Sequence, residues 1–416
     1  MRIVVYTLGC KVNQYESESM MSMLERMGHT VFSHLDIADV YIINTCAVTN
    51  EAEKKSRQTI AKCKALNPNA RIMICGCASE KNANQFENID GVTFVKGVAN
   101  KQEMVNSLNE NGVKIDKNPL EYDDTYVAEP TKTRAYIKIQ DGCNNFCSYC
   151  IIPYLRGRSR SRNIVSILNE VDKLSKQVKE IIITGIDVSD YKIDGEKSLP
   201  FLLEKLEPYQ DIRFRLSSLE QGIADQKLMD ACKKINMCPH FHLSLQSGCD
   251  TVLKRMNRKY LTKDYLKTVK LIRKNFENPN ISTDIIVGFP GETDKEFKQT
   301  YNFAKKVKFA NIHIFPYSLR SGTVAEKMPQ VDGNVKKLRV KKLEKLNAKL
   351  NKAYIKKSKK QVLTVLVEEK VDNYFVGHTE NYIKCYINDN VEIDSFVEVK
   401  IEEPYKDGAL AKVVKK

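Results

Sequence analysis

The sequence predicts an α/β protein in three parts: a doubly wound parallel sheet, a central partial β/α (TIM-like) barrel, and a small C-terminal β-barrel. Three observations lead to this prediction. Strand-like apolar runs alternate with helical patterns through most of the chain, as in parallel α/β folds. A polar stretch with two prolines, residues 118–133, separates two such series. Short alternating strands without helices fill the end of the chain.

The first part, residues 1–125, is predicted to form the doubly wound sheet. Helical periodicity from Met20 to Met27 stops at Gly28, and a second helix covers Glu51–Leu66. Strands that alternate with these helices imply an open parallel sheet. The strands are expected at Arg2–Tyr6, near Val31, and at Val40–Ile43, Arg71–Cys75 and Val92–Val95.

The central part, residues 134–330, contains six strand-like segments separated by helical segments such as Ile164–Lys176 and Lys263–Phe276. Six such units predict a partial β/α barrel, with its chemistry on loops that follow the strands. The strands are expected at Ala135–Ile139, Glu180–Thr184, Ile212–Leu216, His240–Leu245, Ile281–Val287 and Ala310–Phe315.

The C-terminal part begins with a basic linker helix in residues 331–360, with its helical pattern over Val335–Lys357. Residues 361–416 then alternate apolar and polar positions between polar turns, which predicts a small barrel. Its strands are expected at Leu363–Glu368, Tyr374–Gly377, Tyr382–Ile387 and Phe396–Ile401.

Three cysteines, Cys143, Cys147 and Cys150, fall in one short loop after the first barrel strand. Thiolates are soft ligands, and three so close can hold three irons of a 4Fe–4S cluster. No fourth cysteine follows at ferredoxin spacing, so one iron is left open to an exogenous ligand. Zinc is the alternative, although a structural zinc site usually has a fourth nearby Cys or His.

Three further cysteines, Cys10, Cys46 and Cys77, follow the first, third and fourth predicted strands of the N-terminal sheet. Ligands of such sheets bind at the loops beyond the carboxyl ends of the strands. Three separate loops can therefore bring these thiols to one crevice. The alternative is that they are small apolar residues that pack at strand ends.

The charge balance is strongly basic, with 67 Lys and Arg against 52 Asp and Glu, a net charge of +15. This favours a polyanionic partner such as nucleic acid, and an anionic membrane would also fit. No long apolar run or signal-peptide pattern is present, so we expect a cytoplasmic protein that does not enter a membrane. In that compartment, twelve cysteines indicate metal ligands or redox centres rather than disulfides.

The cysteine loop resembles the signature of radical S-adenosylmethionine (SAM) enzymes, and the chain as a whole resembles their methylthiotransferase family. Besides the loop, the motifs Thr7-Leu8-Gly9-Cys10 (with Asn13), Asn44-Thr45-Cys46 (with Val48) and Gly76-Cys77-Ala78-Ser79 carry the resemblance, as do the stretches SLQSG, RMNRKY and DIIVGFPGET. The segments after Cys150 and from Thr184 to Tyr191 look most like the branch that acts on threonylcarbamoyladenosine in tRNA. Ser217-Ser218-Leu219-Glu220 fits that branch too, but Gln221 stands where proline is expected.

The resemblance implies two 4Fe–4S clusters, one on each group of three cysteines. One electron from the cluster of Cys143, Cys147 and Cys150 cleaves SAM to a 5′-deoxyadenosyl radical, which removes hydrogen from carbon 2 of the adenine beside the anticodon. The other cluster supplies sulfur, and a second SAM supplies the methyl group. Cys77 rather than Cys75 matches the motif, because it follows Gly76, whereas Cys75 lies in an apolar run and Cys63 in a helix.

The resemblance also implies contacts and partners. The partners are a tRNA anticodon stem-loop and an electron donor of the flavodoxin or ferredoxin type, the C-terminal barrel is an RNA-binding domain of the TRAM type, and the protein is expected to be a monomer. The arginines after the cysteine loop are candidates for binding tRNA phosphates. They are Arg156, Arg158, Arg160 and Arg162. The residues expected to contact SAM are Tyr149, Gly185, Ser218, Glu220 and Gln246.

Three alternatives stay open at this point. Two are enzymes of the same family that act on isopentenyladenosine in tRNA or on a ribosomal protein. The third is of another class, an iron–sulfur RNA-binding sensor that would not turn over SAM.

Overall fold

The computed structural model describes residues 1–47, 50–124, 130 and 133–414 of the chain. Val48 of the second cysteine motif, the proposed domain end at residue 125 and part of the expected linker lie outside the described residues. The mixed α/β architecture predicted from the sequence is confirmed in its three parts. No helix in the described parts of the chain is both long and apolar enough to cross a membrane.

The N-terminal part is a six-stranded parallel sheet with the strand order β2-β1-β3-β4-β5-β6. All five expected strands are present; the three-residue β6 and three short helices were not predicted. The order reverses between β1 and β3, which is where doubly wound sheets bind ligands. The strands are β1 (Arg2–Thr7), β2 (Thr30–Phe32), β3 (Val40–Thr45), β4 (Arg71–Gly76), β5 (Val92–Lys96) and β6 (Gly112–Lys114); the helices are α1 (Lys11–Arg26), α2 (Asn50–Leu66), α3 (Cys77–Lys81), α4 (Ala83–Glu87) and α5 (Lys101–Asn106).

The central part carries all six predicted barrel strands, as a β12-β9-β7-β8 sheet and a β13-β14-β15 sheet. Single parallel bridges, Phe214 to Met237 and Leu219 to Leu243, connect them into one curved layer. The strands are β7 (Arg134–Asp141), β8 (Arg160–Ser161), β9 (Glu180–Gly185), β10 (Lys192–Ile193), β11 (Glu196–Lys197), β12 (Arg213–Leu216), β13 (His240–His242), β14 (Asn280–Val287) and β15 (Asn311–Pro316); the helices are α6 (Ile152–Arg156), α7 (Ile164–Leu174), α8 (Leu199–Glu204), α9 (Gln226–Lys234), α10 (Asp250–Arg255), α11 (Thr262–Asn275) and α12 (Asp294–Val307).

Alternation along these strands separates an apolar outer face from a polar inner face. Ile137, Ile183 and Leu243 belong to the core beneath the helices. Lys138 and Arg215 lie on the other face of their strands, and they are buried without belonging to that core. The inside of the partial barrel is therefore lined with charged and polar side chains.

The C-terminal part is a long helix, α13 (Gly333–Ser358), followed by a closed barrel of five antiparallel and parallel strands. The barrel lies against the amino ends of the central strands: Arg213 donates to the Thr364 carbonyl at 2.9 Å, and the Tyr382 ring stacks on His240 at 4.5 Å. It therefore lies away from the carboxyl ends of those strands. Its strands are β16 (Val362–Val371), β17 (Tyr374–Thr379), β18 (Lys384–Ile387), β19 (Phe396–Tyr405) and the unpredicted β20 (Gly408–Val413).

Candidate active site

The loop of Cys143, Cys147 and Cys150 connects β7 to α6 at the carboxyl end of the first barrel strand. Gly142 has φ +72°, and a Cβ there would lie 2.0 Å from the Arg158 carbonyl oxygen, so only glycine fits this turn. The backbone N–H of Ser148 donates to the Met256 carbonyl at 3.1 Å, which ties the loop to the turn after α10. The loop is thus held in place before any ligand binds.

Burial raises the pKa of the Cys143 and Cys150 thiols to about 12, chiefly through desolvation. A metal must therefore displace protons from these sulfurs when it binds. Among the described residues, neither group of three cysteines has all its sulfur atoms within 4.8 Å of one another.

Arg258 is a site residue that the sequence reasoning missed. Its Nη1 donates to the Cys147 sulfur at 3.2 Å, its Nη2 pairs with Glu220, and its side chain is 5% exposed. A cation beside a cluster ligand stabilises the thiolate form and tunes the potential of a bound cluster. The signal available in the sequence was the stretch RMNRKY, which contributed to the resemblance without a role for any single residue.

A cavity of about 280 Å³ opens beside the cysteine loop. Asn145, Cys147, Asp187, Glu220 and Arg258 are among the residues that line it. One carboxyl oxygen of Asp187 accepts from Asn145 at 2.8 Å, whereas its Oδ1 is buried without a hydrogen-bond partner. The cavity has both acidic and basic side chains, and the orphaned carboxyl oxygen of Asp187 offers an acceptor for the ammonium group of SAM.

Burial raises the pKa of Asp187 to about 6, and repulsion from Glu220 and Asp190 adds to the effect. At pH 7 the Asp187 carboxylate is therefore ionised, and this buried charge lowers the free energy of unfolding. Asp187→Asn should stabilise the ligand-free protein at pH 7 by on the order of 2 kcal/mol and weaken SAM binding. The pKa of Asp187 in the folded protein lies above the unfolded value near 3.9. The stability gained by Asp187→Asn should therefore fade as the pH drops from 6 to about 4, because Asp187 becomes protonated in the folded wild type.

Urea unfolding at pH 7 and pH 4, together with SAM titration of both proteins, checks this prediction. Asp230→Asn, on the exposed side of α9, is the matched control and should leave both quantities unchanged within about 0.5 kcal/mol. Equal SAM affinity of the wild type and Asp187→Asn would remove Asp187 from the SAM site.

The five residues expected to contact SAM lie at the carboxyl ends of the strands but differ in surroundings. Glu220 lines the cavity, and Tyr149 packs edge-on against Phe289 with ring centroids 6.4 Å apart. A Cβ at Gly185 would approach the Gln140 carbonyl oxygen to 2.9 Å, so this glycine allows close strand packing. Gln246 has φ +66° and bridges to β14, and the Ser218 side chain is exposed. Their roles as SAM contacts stay predictions.

Cys10, Cys46 and Cys77 follow β1, β3 and β4, at the point where the strand order reverses. Asn13 holds two of these loops together, because its Nδ2 donates to the Leu8 carbonyl at 2.8 Å and to the Thr45 carbonyl at 2.9 Å. The three thiols interact electrostatically: Cys46 and Cys10 add to the burial that raises the pKa of Cys77 to about 12. The three loops therefore form one crevice.

Gly76 ends β4 as the sequence predicts. Its φ of +104° leaves the β region, and a Cβ there would lie 2.4 Å from the Thr45 carbonyl oxygen. Cys77 consequently begins helix α3, while Cys75 stays in the strand with no solvent exposure. Cys63 is also fully buried in the core of the sheet. These positions support the assignment of Cys77, rather than Cys75, to the crevice.

Arg156 connects the two cysteine groups. Its Nε donates to the Cys77 sulfur at 3.4 Å, and its Nη1 donates to Glu16 at 2.9 Å and to Asp141 at 3.1 Å. Asp141 ends the strand before the cysteine loop, and Glu16 lies in the helix that follows Cys10. The thiols of Cys77 and Cys150 are also close enough to interact electrostatically. The two cysteine groups therefore face each other across one buried guanidinium.

This burial corrects the interpretation of the four arginines as phosphate contacts. Arg156 has no solvent exposure, and Arg162 is 3% exposed and pairs with Glu170 and Asp124. Guanidiniums that are buried with carboxylates are not available to RNA. Arg160 is half-buried and donates to the carbonyls of Arg156 and Arg158. Of the four, Arg158 alone has an exposed side chain, which lies 4.5 Å above the Phe146 ring.

Comparison with known proteins agrees with this geometry. The model of the radical SAM superfamily matches residues 137–304, and the model described as uncharacterized protein family UPF0004 matches residues 2–97. The fold resembles that of a radical S-adenosylmethionine methyltransferase, TsrM, from Kitasatospora setae, with a TM-score of 0.60, 13% identity and coverage of 78% of this chain and 77% of that one. Fold and cysteine loop thus define a radical SAM enzyme, a class that uses SAM and a 4Fe–4S cluster.

Sequence identity with curated relatives shows which family of radical SAM enzymes this chain belongs to. The threonylcarbamoyladenosine tRNA methylthiotransferase MtaB of Bacillus subtilis is 37% identical, over 99% of this chain and 97% of its own length. MtaB of Aquifex aeolicus is 35% identical over 96% of this chain and all of its own. A tRNA-2-methylthio-N(6)-dimethylallyladenosine synthase of Thermoanaerobacter is 36% identical over 96% of this chain and 90% of its own. The chain belongs to the radical SAM methylthiotransferase family, and the resemblance to its MtaB-type branch is confirmed.

Proposed function

We propose that this enzyme converts N6-threonylcarbamoyladenosine next to the anticodon of tRNA to its 2-methylthio derivative, using two 4Fe–4S clusters. The MtaB relatives support the substrate, since they match nearly the whole chain. The observation that carries the two-cluster chemistry is Arg156, which contacts Cys77 on one side and the base of the other cysteine loop on the other. Radical formation and sulfur transfer must act on the same carbon, and this arrangement brings both cysteine groups to one place.

Different residues of this chain would hold the two clusters and bind SAM. Cys143, Cys147 and Cys150 would hold the cluster that gives SAM the electron for its reductive cleavage, with Arg258 as a hydrogen-bond donor to Cys147. Asp187 and Glu220 would bind the positive charge of SAM in the cavity. Cys10, Cys46 and Cys77 would hold the second cluster, with Arg156 donating to Cys77. An electron donor of the flavodoxin or ferredoxin type would serve a monomeric enzyme.

The adenine must leave its stack to reach a crevice between two domains, so the substrate should be a single-stranded loop. Exposed basic residues that can bind the adjoining phosphates are Arg158 and, on helix α13, Lys337, Lys341, Lys342 and Lys345. We assign residues 1–125 to sulfur insertion, 134–330 to radical formation, and 331–360 with the barrel 361–416 to RNA binding.

Mass spectrometry of tRNA nucleosides tests the proposed function. A strain that lacks the gene should accumulate threonylcarbamoyladenosine without its 2-methylthio derivative, and the wild-type chain should restore the derivative. Unchanged tRNA nucleosides, with an unmodified residue in a ribosomal protein instead, would contradict the proposal. Reduced protein that never releases 5′-deoxyadenosine would point to an iron–sulfur sensor.

A second substrate deserves the same measurement because of one relative. The Thermoanaerobacter synthase, whose name specifies dimethylallyladenosine, is nearly as similar to this chain as the MtaB proteins. Methylthiolation of isopentenyladenosine, but not of threonylcarbamoyladenosine, by the purified enzyme would favour this second substrate.

Binding of tRNA should depend strongly on salt. A net charge of +15 and the exposed lysines of α13 imply several phosphate contacts, each of which releases counterions. We expect affinity to fall at least about tenfold between 50 and 200 mM salt, and the slope to become shallower by about one when Lys341 is replaced by glutamine. Fluorescence anisotropy with a labelled anticodon stem-loop measures both. Affinity that stays flat over this range would argue for a protein substrate.

A further inference from the structure

Lys11 is a half-buried cation at the inner face of the partial barrel. Lys11 directly follows Cys10 and opens helix α1. Its ammonium lies close enough to Arg215, Arg134 and Glu180 to interact with them electrostatically, and also to His240 and His313. The side chain of Lys11 therefore extends from the crevice of the second cysteine group into the polar interior of the barrel.

The neighbouring arginines all have carboxylate partners. Glu180 lies 3.0 Å from Arg213, 2.9 Å from Arg215 and 3.6 Å from Arg134, and Arg134 also pairs with Glu368. Glu180 is thus shared by three guanidiniums. Among the described residues, Lys11 has no hydrogen-bond or ion-pair partner for its ammonium. A half-buried cation beside other cations is unfavourable unless an anion joins it.

The opposite wall of this space is polar and reaches solvent. Asp284 and His313 are paired in register on β14 and β15, and His242 lies on β13 with its Nε2 3.3 Å from Asp284. Ser282 donates to or accepts from His242 Nδ1 at 3.0 Å, and the His313 side chain is exposed. Asp284 is therefore engaged by His242 rather than by Lys11, and the exposed side chain of His313 places this wall at the protein surface.

We infer that Lys11 binds the carboxylate of the threonylcarbamoyl substituent and is a specificity-determining residue for that substrate. The inference rests on the proposed function. Carbon 2 and N6 lie on different edges of adenine, so a base whose carbon 2 faces the crevice of Cys10 directs its N6 substituent elsewhere in the site. A lysine next to Cys10 that reaches into the barrel can meet an anion there, and an uncharged hydrocarbon substituent would gain nothing from it.

Binding of two anticodon stem-loops tests the inference. One carries threonylcarbamoyladenosine and the other its amide, in which the carboxylate is replaced by an uncharged group. At fixed salt, the wild type should prefer the carboxylate by about 10- to 100-fold, the strength of a charge-assisted hydrogen bond. Lys11→Gln should remove this preference and bind the amide as the wild type does. Lys11→Arg should retain much of it.

Two controls accompany the measurement. Lys298→Gln removes one exposed positive charge from helix α12 and should weaken both RNAs equally, if at all. Iron and sulfide content and the cluster absorbance should be unchanged in both Lys11 variants, which separates loss of the cation from loss of the neighbouring cluster.

A wild type that does not distinguish the two RNAs would overturn the inference, as would a Lys11→Gln variant that keeps the wild-type preference or weakens both RNAs equally. Failure of the proposed function is seen separately, because the wild type would then not methylthiolate threonylcarbamoyladenosine at all.

Discussion

Replacing Cys77 with alanine should remove about half of the bound iron and all methylthiolation, while SAM cleavage continues. Cys77 lies in the crevice with Cys10 and Cys46, whereas Cys143, Cys147 and Cys150, to which we assign the radical-forming cluster, lie in a separate loop. Anaerobic iron and sulfide analysis, 5′-deoxyadenosine release and the yield of modified nucleoside measure the three quantities in one preparation.

Cys75→Ala is the matched control, two residues before Cys77 and inside strand β4. Cys75 has no exposure and packs in the core between β4 and the helices α1 and α5. Its loss should cost packing on the order of 1 kcal/mol and leave iron content and methylthiolation intact. If instead Cys75→Ala loses iron and Cys77→Ala does not, Cys75 is the cluster ligand. The end of β4 would then not separate the ligand from the core cysteine.

Replacing Arg156 with methionine should destabilise the protein by on the order of 3–5 kcal/mol, because Glu16 and Asp141 then remain buried without their cation. Lys138 lies 3.4 Å from Glu16 and 3.1 Å from Asp141, and it compensates in part. Arg156 and Lys138 hold the pKa of Asp141 and Glu16 below their usual values against the effect of burial. Carboxyl groups whose pKa is lowered by folding stabilise the folded protein at pH values above their unfolded pKa, near 4. The loss of unfolding free energy in the Arg156 variant should therefore shrink as the pH falls below about 4.

Anaerobic urea unfolding, followed by circular dichroism at pH 7 and at pH 3, checks this prediction. Arg158→Met is the matched control, since it removes an exposed guanidinium that lies over Phe146 and should cost no more than about 1 kcal/mol. Equal stability of the two variants would mean that Arg156 does not hold the domains together.

The sequence was informative where chemistry depends on a local pattern. The glycine before Cys77 forced the chain out of the strand, and φ +104° at Gly76 shows the expected break. Strand β20 was missed because Gly408-Ala409-Leu410-Ala411 lacks the branched and aromatic residues of strands. It forms because it pairs with both β18 and β19 and closes the barrel.

The roles of the arginines were decided by tertiary structure. In the sequence Arg156, Arg158, Arg160 and Arg162 form one regular basic series. In the fold, two are buried with carboxylates, Arg156 with Glu16 and Arg162 with Glu170, and Arg158 lies over an aromatic ring. Their spacing of two residues would place all four on one face of an extended strand, and it does not reveal that Glu16, 140 residues away, lies beside Arg156.

By itself, the sequence determined the α/β class, the three-part order, the cysteine groups and the family, because these follow from periodicity and short motifs. Only the tertiary structure showed that Arg156 joins both cysteine groups, that Arg258 contacts Cys147, and that Lys11 lies near Arg134 and Arg215 with no ion-pair partner among the described residues. Each of these depends on which charges meet across separate chain segments. Since electrostatic energies vary with distance and burial, they are fixed by folding rather than by the order of residues along the chain.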